Sequence, residues 1–202
     1  KSAYPDKLEI VQGDALQISP DSLTAEPYRI ISNLPYNIAT PLFTGWLENS
    51  WQGGVWAPRF LSMTCMFQKE VAQRIAAAPG TDNYGRLSVL AGWLTQARIL
   101  FDVDRQVFVP PPNVTSSIVH VEPRAHPLAP ADPQMLSQVT AAAFGQRRKM
   151  LRASLKKICP SPSDILAAAD IAETKRAEQL EIEEFCTLAR LIDDQNRQKP
   201  AH

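Results

Sequence analysis

The chain has 202 residues, 45% hydrophobic and 21% charged, enough for one medium domain and a small one of ordinary soluble composition. Its 21 basic and 21 acidic residues cancel. Counted through Arg124 there are 10 basic and 11 acidic residues, and beyond it 11 and 10, so only local arrangement can carry an electrostatic argument. No apolar run approaches the roughly 18 residues of a membrane span. Lys1–Asp6 lacks the apolar stretch of a signal peptide, and the missing initiator Met makes Lys1 an unexpected natural start. Cys65, Cys159 and Cys186 show no CxxC spacing and, with His120, His126 and His202, make no zinc set. No metal is expected, and scattered cysteines fit a reducing, cytoplasmic compartment.

Up to about Pro123, short apolar runs alternate with helical patterns, the signature of an α/β layer structure. Strands are expected at Leu8–Gln12, ending at Gly13-Asp14, and at Tyr28–Ser32, running into Asn33-Leu34-Pro35-Tyr36. A helix over Thr40–Leu47 should follow, with Pro41 in its first turn. A buried strand at Phe60–Phe67, helices at Lys69–Ala78 and Leu87–Gln96, and strands at Ile99–Val103 and Ser117–Val121 complete the layer. Between the last two, Phe108-Val109-Pro110-Pro111-Pro112-Asn113 must be a rigid extended loop, because consecutive prolines lock φ and remove backbone donors.

The proline-rich stretch Pro123–Pro130 marks a boundary, giving a sheet domain over 1–123, a linker over 124–131 and an all-helical domain over 132–202. The latter should hold helices at Pro133–Phe144, Arg147–Ile158, Pro162–Ala169 and Ile182–Asp193, with Asp132 and Ser161 capping the first and third. Gln195–His202 reads as a frayed polar tail.

Asn33-Leu34-Pro35-Tyr36 is the informative motif, since ligands in open α/β sheets bind at the carboxyl ends of strands. Its residues suit methylation of an exocyclic amino group on an aromatic base. That nitrogen is a poor nucleophile because its lone pair is delocalised into the ring. Two acceptors holding its hydrogens pull it toward tetrahedral geometry for in-line attack on a methyl sulfonium. The Asn33 side-chain carbonyl can be one acceptor and the Pro35 backbone carbonyl the other. Tyr36 can stack on the base, a contact worth about 1–3 kcal/mol. The alternative is a strand-to-helix turn in which Asn and Pro merely punctuate.

The basic stretch Arg147–Lys157 carries six cations and no anion. As one helix it would place Arg148, Arg152 and Lys156 on one face and Leu151, Leu155 and Ile158 on another. That pattern suits either a solvated amphipathic helix or phosphate contact. Glu178–Phe185 is acidic, so the helical domain should be two-sided.

The stretch Asn33–Leu42 closely resembles the catalytic loop of the ribosomal RNA adenine dimethyltransferases. Gln68–Arg74, Tyr84–Val89, Phe108–Val114 and Ala143–Lys149 resemble the same family in the same order, so the resemblance spans nearly the whole chain. It implies a Rossmann-like class I methyltransferase sheet followed by a small helical domain. It implies S-adenosylmethionine as cofactor and small-subunit ribosomal RNA as partner, with no membrane and a monomeric state. It places Asn33, Leu34, Pro35 and Tyr36 in the catalytic loop, with Asn33 between cofactor and base. Asp14, beside Ala15, would accept from the amino group of the cofactor's adenine, where the residues alone allow only a solvated Asp capping a turn. Phe108 would be the second aromatic clasping a flipped-out adenine, where otherwise it plugs a loop. Arg147, Arg148, Lys149, Arg152 and Lys156 would meet RNA.

The family's glycine-rich turn and acidic ribose clamp lie upstream of where this chain begins. None of its eight glycines forms a GxGxG cluster. The sheet is therefore expected to be N-terminally truncated, the cofactor site incomplete and the chain inactive as given. The rivals are the antibiotic-resistance methyltransferase of large-subunit ribosomal RNA and a non-catalytic RNA-binding assembly factor. The Phe108–Pro112 and Ala143–Lys149 stretches favour the small-subunit branch.

Overall fold

The computed structural model describes residues 7–198; the readings for Lys1–Asp6 and for the last four residues of the tail lie outside them. Four strands form one mixed sheet in the order β1 (Tyr28–Asn33), β4 (Phe60–Gln68), β6 (Ser116–Pro123), β5 (Thr95–Val103). A separate hairpin pairs β2 (Trp51–Gln52) with β3 (Val55–Trp56), turning on Gly53 and Gly54 at φ +57° and +81°, a left-handed conformation that glycine adopts without strain. β1 is parallel to β4, while β6 is antiparallel to both β4 and β5. The carboxyl ends of β1, β4 and β5 therefore meet at one edge with the start of β6, where Ser116 pairs with Gln68 and with Val103.

Strand register separates two faces. Ile30, Met63, Cys65, Phe67, Val119 and Val121 share the face that the helices cover. Helix α1 (Tyr36–Glu48) presents Ala39, Leu42, Phe43 and Leu47 to it at helical spacing, and the Phe43 ring meets Phe67 edge-on at 5.8 Å. On the other face Ile31, Thr64 and His120 lie side by side, and Ile31 is 84% exposed.

Several expectations are corrected. Leu8–Gln12 forms no strand: a strand persists only in a ladder, and this segment pairs with nothing among the described residues, leaving Leu8, Ile10 and Val11 exposed. Helix α1 starts at Tyr36, a turn earlier than expected, so Pro41 is its sixth residue and not in its first turn. Pro35, extended at ψ 129°, forms its boundary. Helices α2 (Lys69–Ile75) and α3 (Arg86–Leu94) are shorter than expected at their C-terminal ends; Thr95 and Gln96 join β5.

Past the sheet come α4 (Pro133–Gly145), α5 (Leu151–Ser154), α6 (Pro162–Ala168) and α7 (Ile182–Gln198). Asp132 caps α4 through Oδ1, which accepts from the Met135 N–H at 2.8 Å. Ser161 stands at the start of α6, but its side chain makes no capping bond. Helix α7 carries the chain on through Gln198 where fraying was expected from Gln195. No single helix covers Arg147–Ile158: 147–149 is turn and bend, and a 3₁₀ turn over Leu155–Lys157 follows α5. The break is held by backbone bonds out of register with a helix, from Lys149 to Gln146 and from Leu151 across to Lys175. Among the described residues no helix is long and apolar enough to cross a membrane.

The linker is bound to the sheet layer. Arg124 and Leu128 donate backbone N–H groups to Leu94 and Trp93, and Trp56 Nε1 donates to the Arg124 carbonyl. One contiguous buried cluster runs from Leu34 to Ile192.

Candidate functional site

Asn33 ends β1, opposite Met66 of β4, and its side chain is exposed. None of the hydrogen bonds among the described residues engages its amide. Leu34 is buried and anchors the loop, Pro35 is exposed, and Tyr36 is half-buried at the first position of α1. The Tyr36 hydroxyl lies 2.6 Å from the Oγ of Ser116, a fully buried residue at the start of β6. Since β4 lies between β1 and β6, Tyr36 reaches over the end of β4 to make this bond.

The loop between β5 and β6 rises from the same edge. It begins with a 3₁₀ turn (Arg105–Val107) capped by Asp104, whose Oδ1 accepts from the Gln106 N–H. Phe108 follows, half-buried, leading into the prolines. Its feet are tied by a small network. Asp102 accepts from Lys69 Nζ at 2.6 Å and from Ser117 Oγ at 2.7 Å, and the Lys69 N–H donates to the Thr115 carbonyl. The hydrogen bond from Lys69, then that from Ser117, holds the Asp102 carboxyl below the usual carboxylate range. The Asn33 loop and the Phe108 loop thus share one end of the sheet. Ser116, Ser117 and Asp102 went unread in the sequence. Their one signal was position, directly after the Phe108–Val114 stretch or at the end of a strand.

Asp14 is exposed, and its Oδ1 accepts from the Leu16 N–H at 3.0 Å. That is the turn-capping geometry allowed by the residues alone, and it leaves Oδ2 available. Ala15 lies in the same exposed turn. No hydrogen bond among the described residues joins this turn to the Asn33 loop. S-adenosylmethionine is matched in part by these residues: Asn33 offers a disengaged amide and Asp14 one oxygen. The glycines at positive φ, Gly53, Gly54 and Gly80, sit in the hairpin turn and after α2. None lines the carboxyl edge where a methionine chain would need close backbone approach.

The basic residues do not form the expected stripe, because 147–150 is not helical. Arg147 is half-buried and donates to the Thr81 carbonyl at 3.3 Å. Arg152 pairs with Glu173 at 3.5 Å. Arg148, Lys149 and Lys156 carry no carboxylate partner among the described residues, and Lys149 and Lys156 are exposed. The acidic segment is not set wholly apart from them: Glu184 pairs with Lys175, whose carbonyl accepts from Leu151 at the head of α5. A cleft of about 950 Å³ runs between α1, α3 and α4. It begins at Thr40, a turn beyond Tyr36, and does not cover Asn33. Glu48 and Asp132 in its lining oppose phosphate.

The family model described as ribosomal RNA adenine dimethylase matches residues 2–194. The ribosomal RNA small subunit methyltransferase A of Xanthobacter autotrophicus is 53% identical over 187 residues, covering 92% of this chain and 63% of that protein. The protein of that name from Ruegeria sp. is 49% identical over 192 residues, covering 95% and 67%. The chain therefore spans a little under or about two thirds of the length of these curated relatives. Among solved structures, a dimethyladenosine transferase from Plasmodium falciparum superposes with a TM-score of 0.76, covering 95% of this chain and 74% of that one. At 24% identity this likeness speaks to fold. The 23S rRNA methyltransferase ErmE superposes with a TM-score of 0.60 at 25% identity, covering 92% and 72%.

Proposed function

The chain belongs to the ribosomal RNA adenine dimethylase family, and we propose that it supplies the base-binding and RNA-docking part of an enzyme that dimethylates adenosine N6 in small-subunit ribosomal RNA during maturation of that subunit. The observation that carries this reading is the disengaged Asn33 amide at the carboxyl end of β1, followed after the buried Leu34 by Pro35 and a tethered Tyr36. Relatives named for the small subunit are about half identical to this chain, against 25% for the 23S enzyme, which favours the small-subunit substrate.

In this reading the chain's own groups work on the base. Extruding an adenine from its stack costs a few kcal/mol, offset by stacking on Tyr36 and Phe108. The Asn33 carbonyl and the Pro35 backbone carbonyl accept the two amino hydrogens, and the nitrogen lone pair localises as it pyramidalises. The amino group sheds its proton to water, so no general base is needed. S-adenosylmethionine, when bound, supplies a methyl group on a sulfonium leaving group. Asn33 and Asp14 are the residues that would face it, Asp14 toward the adenine and Ala15 beside it. Arg147 braces the basic segment from within, while Arg148, Lys149, Arg152 and Lys156 meet phosphates and set the position of the RNA without reading its sequence. The helices after Ala131 form the RNA-docking part, which shares one buried core with the sheet layer, and the protein works as a monomer in the cytoplasm.

The test is methyl transfer. The chain joined to the part of the Xanthobacter relative that it does not cover is incubated with labelled S-adenosylmethionine and unmethylated small ribosomal subunits. Label recovered as N6,N6-dimethyladenosine is the expected result. A folded chimera that binds the cofactor but labels no adenosine would overturn the proposal.

A further inference from the structure

We propose that Ser116 is a positioning residue for the target base: its hydroxyl fixes the direction in which the Tyr36 ring extends, and with Ser117 it joins the two aromatic arms of the site to one strand. The inference rests on the reading of Tyr36 as the residue on which the base stacks.

A half-buried tyrosine at a helix start ordinarily swings about its side-chain torsions, and stacking area alone does not choose an orientation for it. Here the phenolic oxygen, at the far end of the ring, lies 2.6 Å from Ser116 Oγ. Anchored at both ends, through Cα on α1 and through oxygen on β6, the ring's long axis loses its swing. Ser116 is well suited to be the anchor. It is fully buried, and it lies in a strand paired on both sides, with Gln68 and with Val103. The ordering is therefore set before RNA arrives, which lowers the entropy cost of capturing the base.

The next residue works on the opposite face of the same strand, as side-chain alternation dictates. Ser117 Oγ donates to Asp102 at 2.7 Å, Asp102 accepts from Lys69 at 2.6 Å, and the Lys69 N–H holds the Thr115 carbonyl at 2.9 Å. Asp102 and Thr115 flank the loop that carries Phe108. Two adjacent hydroxyls on β6 thus govern two arms that approach from different strands, and the separation of Tyr36 from Phe108 is a property of β6. Lys69, in a stretch whose family resemblance had no assigned task, gains one here.

The experiment uses the 202-residue chain and a single-stranded RNA oligonucleotide with one 2-aminopurine and a fluorescent end label. End-label anisotropy reads overall RNA binding, and 2-aminopurine emission reads stacking of that base. Ser116→Ala and Tyr36→Phe should each weaken base capture about tenfold, which corresponds to about 1.4 kcal/mol and the lower range of base–aromatic stacking. Ser116→Ala should leave overall binding close to the parent's. The double variant should be no worse than either single one, since both remove the same bond. Ser116→Thr, which keeps the hydroxyl, should restore capture. Parent-like emission for Ser116→Ala, with emission changes abolished by Tyr36→Ala, would overturn the proposal while sparing the stacking role of Tyr36. Unchanged emission in Tyr36→Ala would overturn that role and, with it, the proposal. In the RNA-free chain, ¹³C-labelled tyrosine resonances give an independent check. An unmoved Tyr36 signal in Ser116→Ala would show that the bond does not hold the ring.

Discussion

The indole Nε1 of Trp93, near the end of α3, donates a hydrogen bond to the carbonyl of Ala129 at 2.7 Å. Trp93 is 1% exposed, and its ring stacks on Trp51 of the hairpin at 5.4 Å. One side chain thus ties the proline-rich linker, the hairpin and α3 together, at the point where composition alone marks a break. Trp93→Phe keeps an aromatic ring but leaves the Ala129 carbonyl without its donor. A destabilisation of about 1–3 kcal/mol is expected, read as a lower urea midpoint with an unchanged slope. A midpoint within error of the parent's would show that the linker is held by its other bonds.

Asn33→Ala, placed in the methyl-transferring chimera described above, should abolish transfer and leave RNA affinity intact. The amide is exposed and engages no protein group among the described residues, so its removal costs the fold little. Transfer at a rate within a few-fold of the parent would refute the acceptor role.

The cations are predicted to differ. Arg148, Lys149 and Lys156 have no carboxylate partner among the described residues, whereas Arg152 is paired with Glu173 at 3.5 Å. On single-stranded RNA, each phosphate that a cation ceases to neutralise takes about 0.7 off the slope of log affinity against log salt. Arg148→Gln, Lys149→Gln and Lys156→Gln together should therefore flatten the slope by about 2 on that basis. Arg152→Gln should change it least. Equal slopes for the parent and the triple variant would mean that this surface is merely solvated.

S-adenosylmethionine should bind the 202-residue chain only beyond the millimolar range. The turn with Asp14 and the loop with Asn33 offer groups for its two ends. No glycine at positive φ lines the carboxyl edge of the sheet among the described residues. Forgoing several polar interactions at about 1–3 kcal/mol each takes a micromolar site past that limit. Calorimetric titration decides: a micromolar constant would mean that the residues present suffice.

Burial pushes the thiols of Cys65 and Cys186 up to about 12, because the sheet and α7 exclude the solvent a thiolate needs. In the unfolded chain these groups ionise near their ordinary value, so the folded state holds their protons longer. Their contribution is complete below that value and disappears as pH rises from about 9 toward 12. The urea midpoint should fall between pH 8 and pH 10.5, and fall less in a Cys65→Val, Cys186→Ala variant. Burial of the Tyr84 hydroxyl, raised first by desolvation, acts in the same direction. A parent midpoint equal at both pH values would contradict the expectation.

What the sequence determined by itself was local or periodic. The runs at Tyr28–Ser32 and Phe60–Phe67 read as strands because they are short and apolar. Asp132 reads as a cap because a carboxylate before Pro133 satisfies a free N–H. Asn33–Tyr36 reads as a site because those residue types suit one chemistry at a strand end. Tertiary structure alone decided whether a segment found a partner. Leu8–Gln12 has the pattern of a strand but no ladder to join, so it stays exposed outside the sheet. The basic stretch has helical periodicity, but the bonds of Leu151 to Lys175 and Arg152 to Glu173 draw it away from one axis. The bond between Tyr36 and Ser116 spans 80 positions and two strands. Neither residue's neighbours in sequence encode it, because it arises from the order β1, β4, β6, which is set by burying one face of the whole sheet beneath the helices.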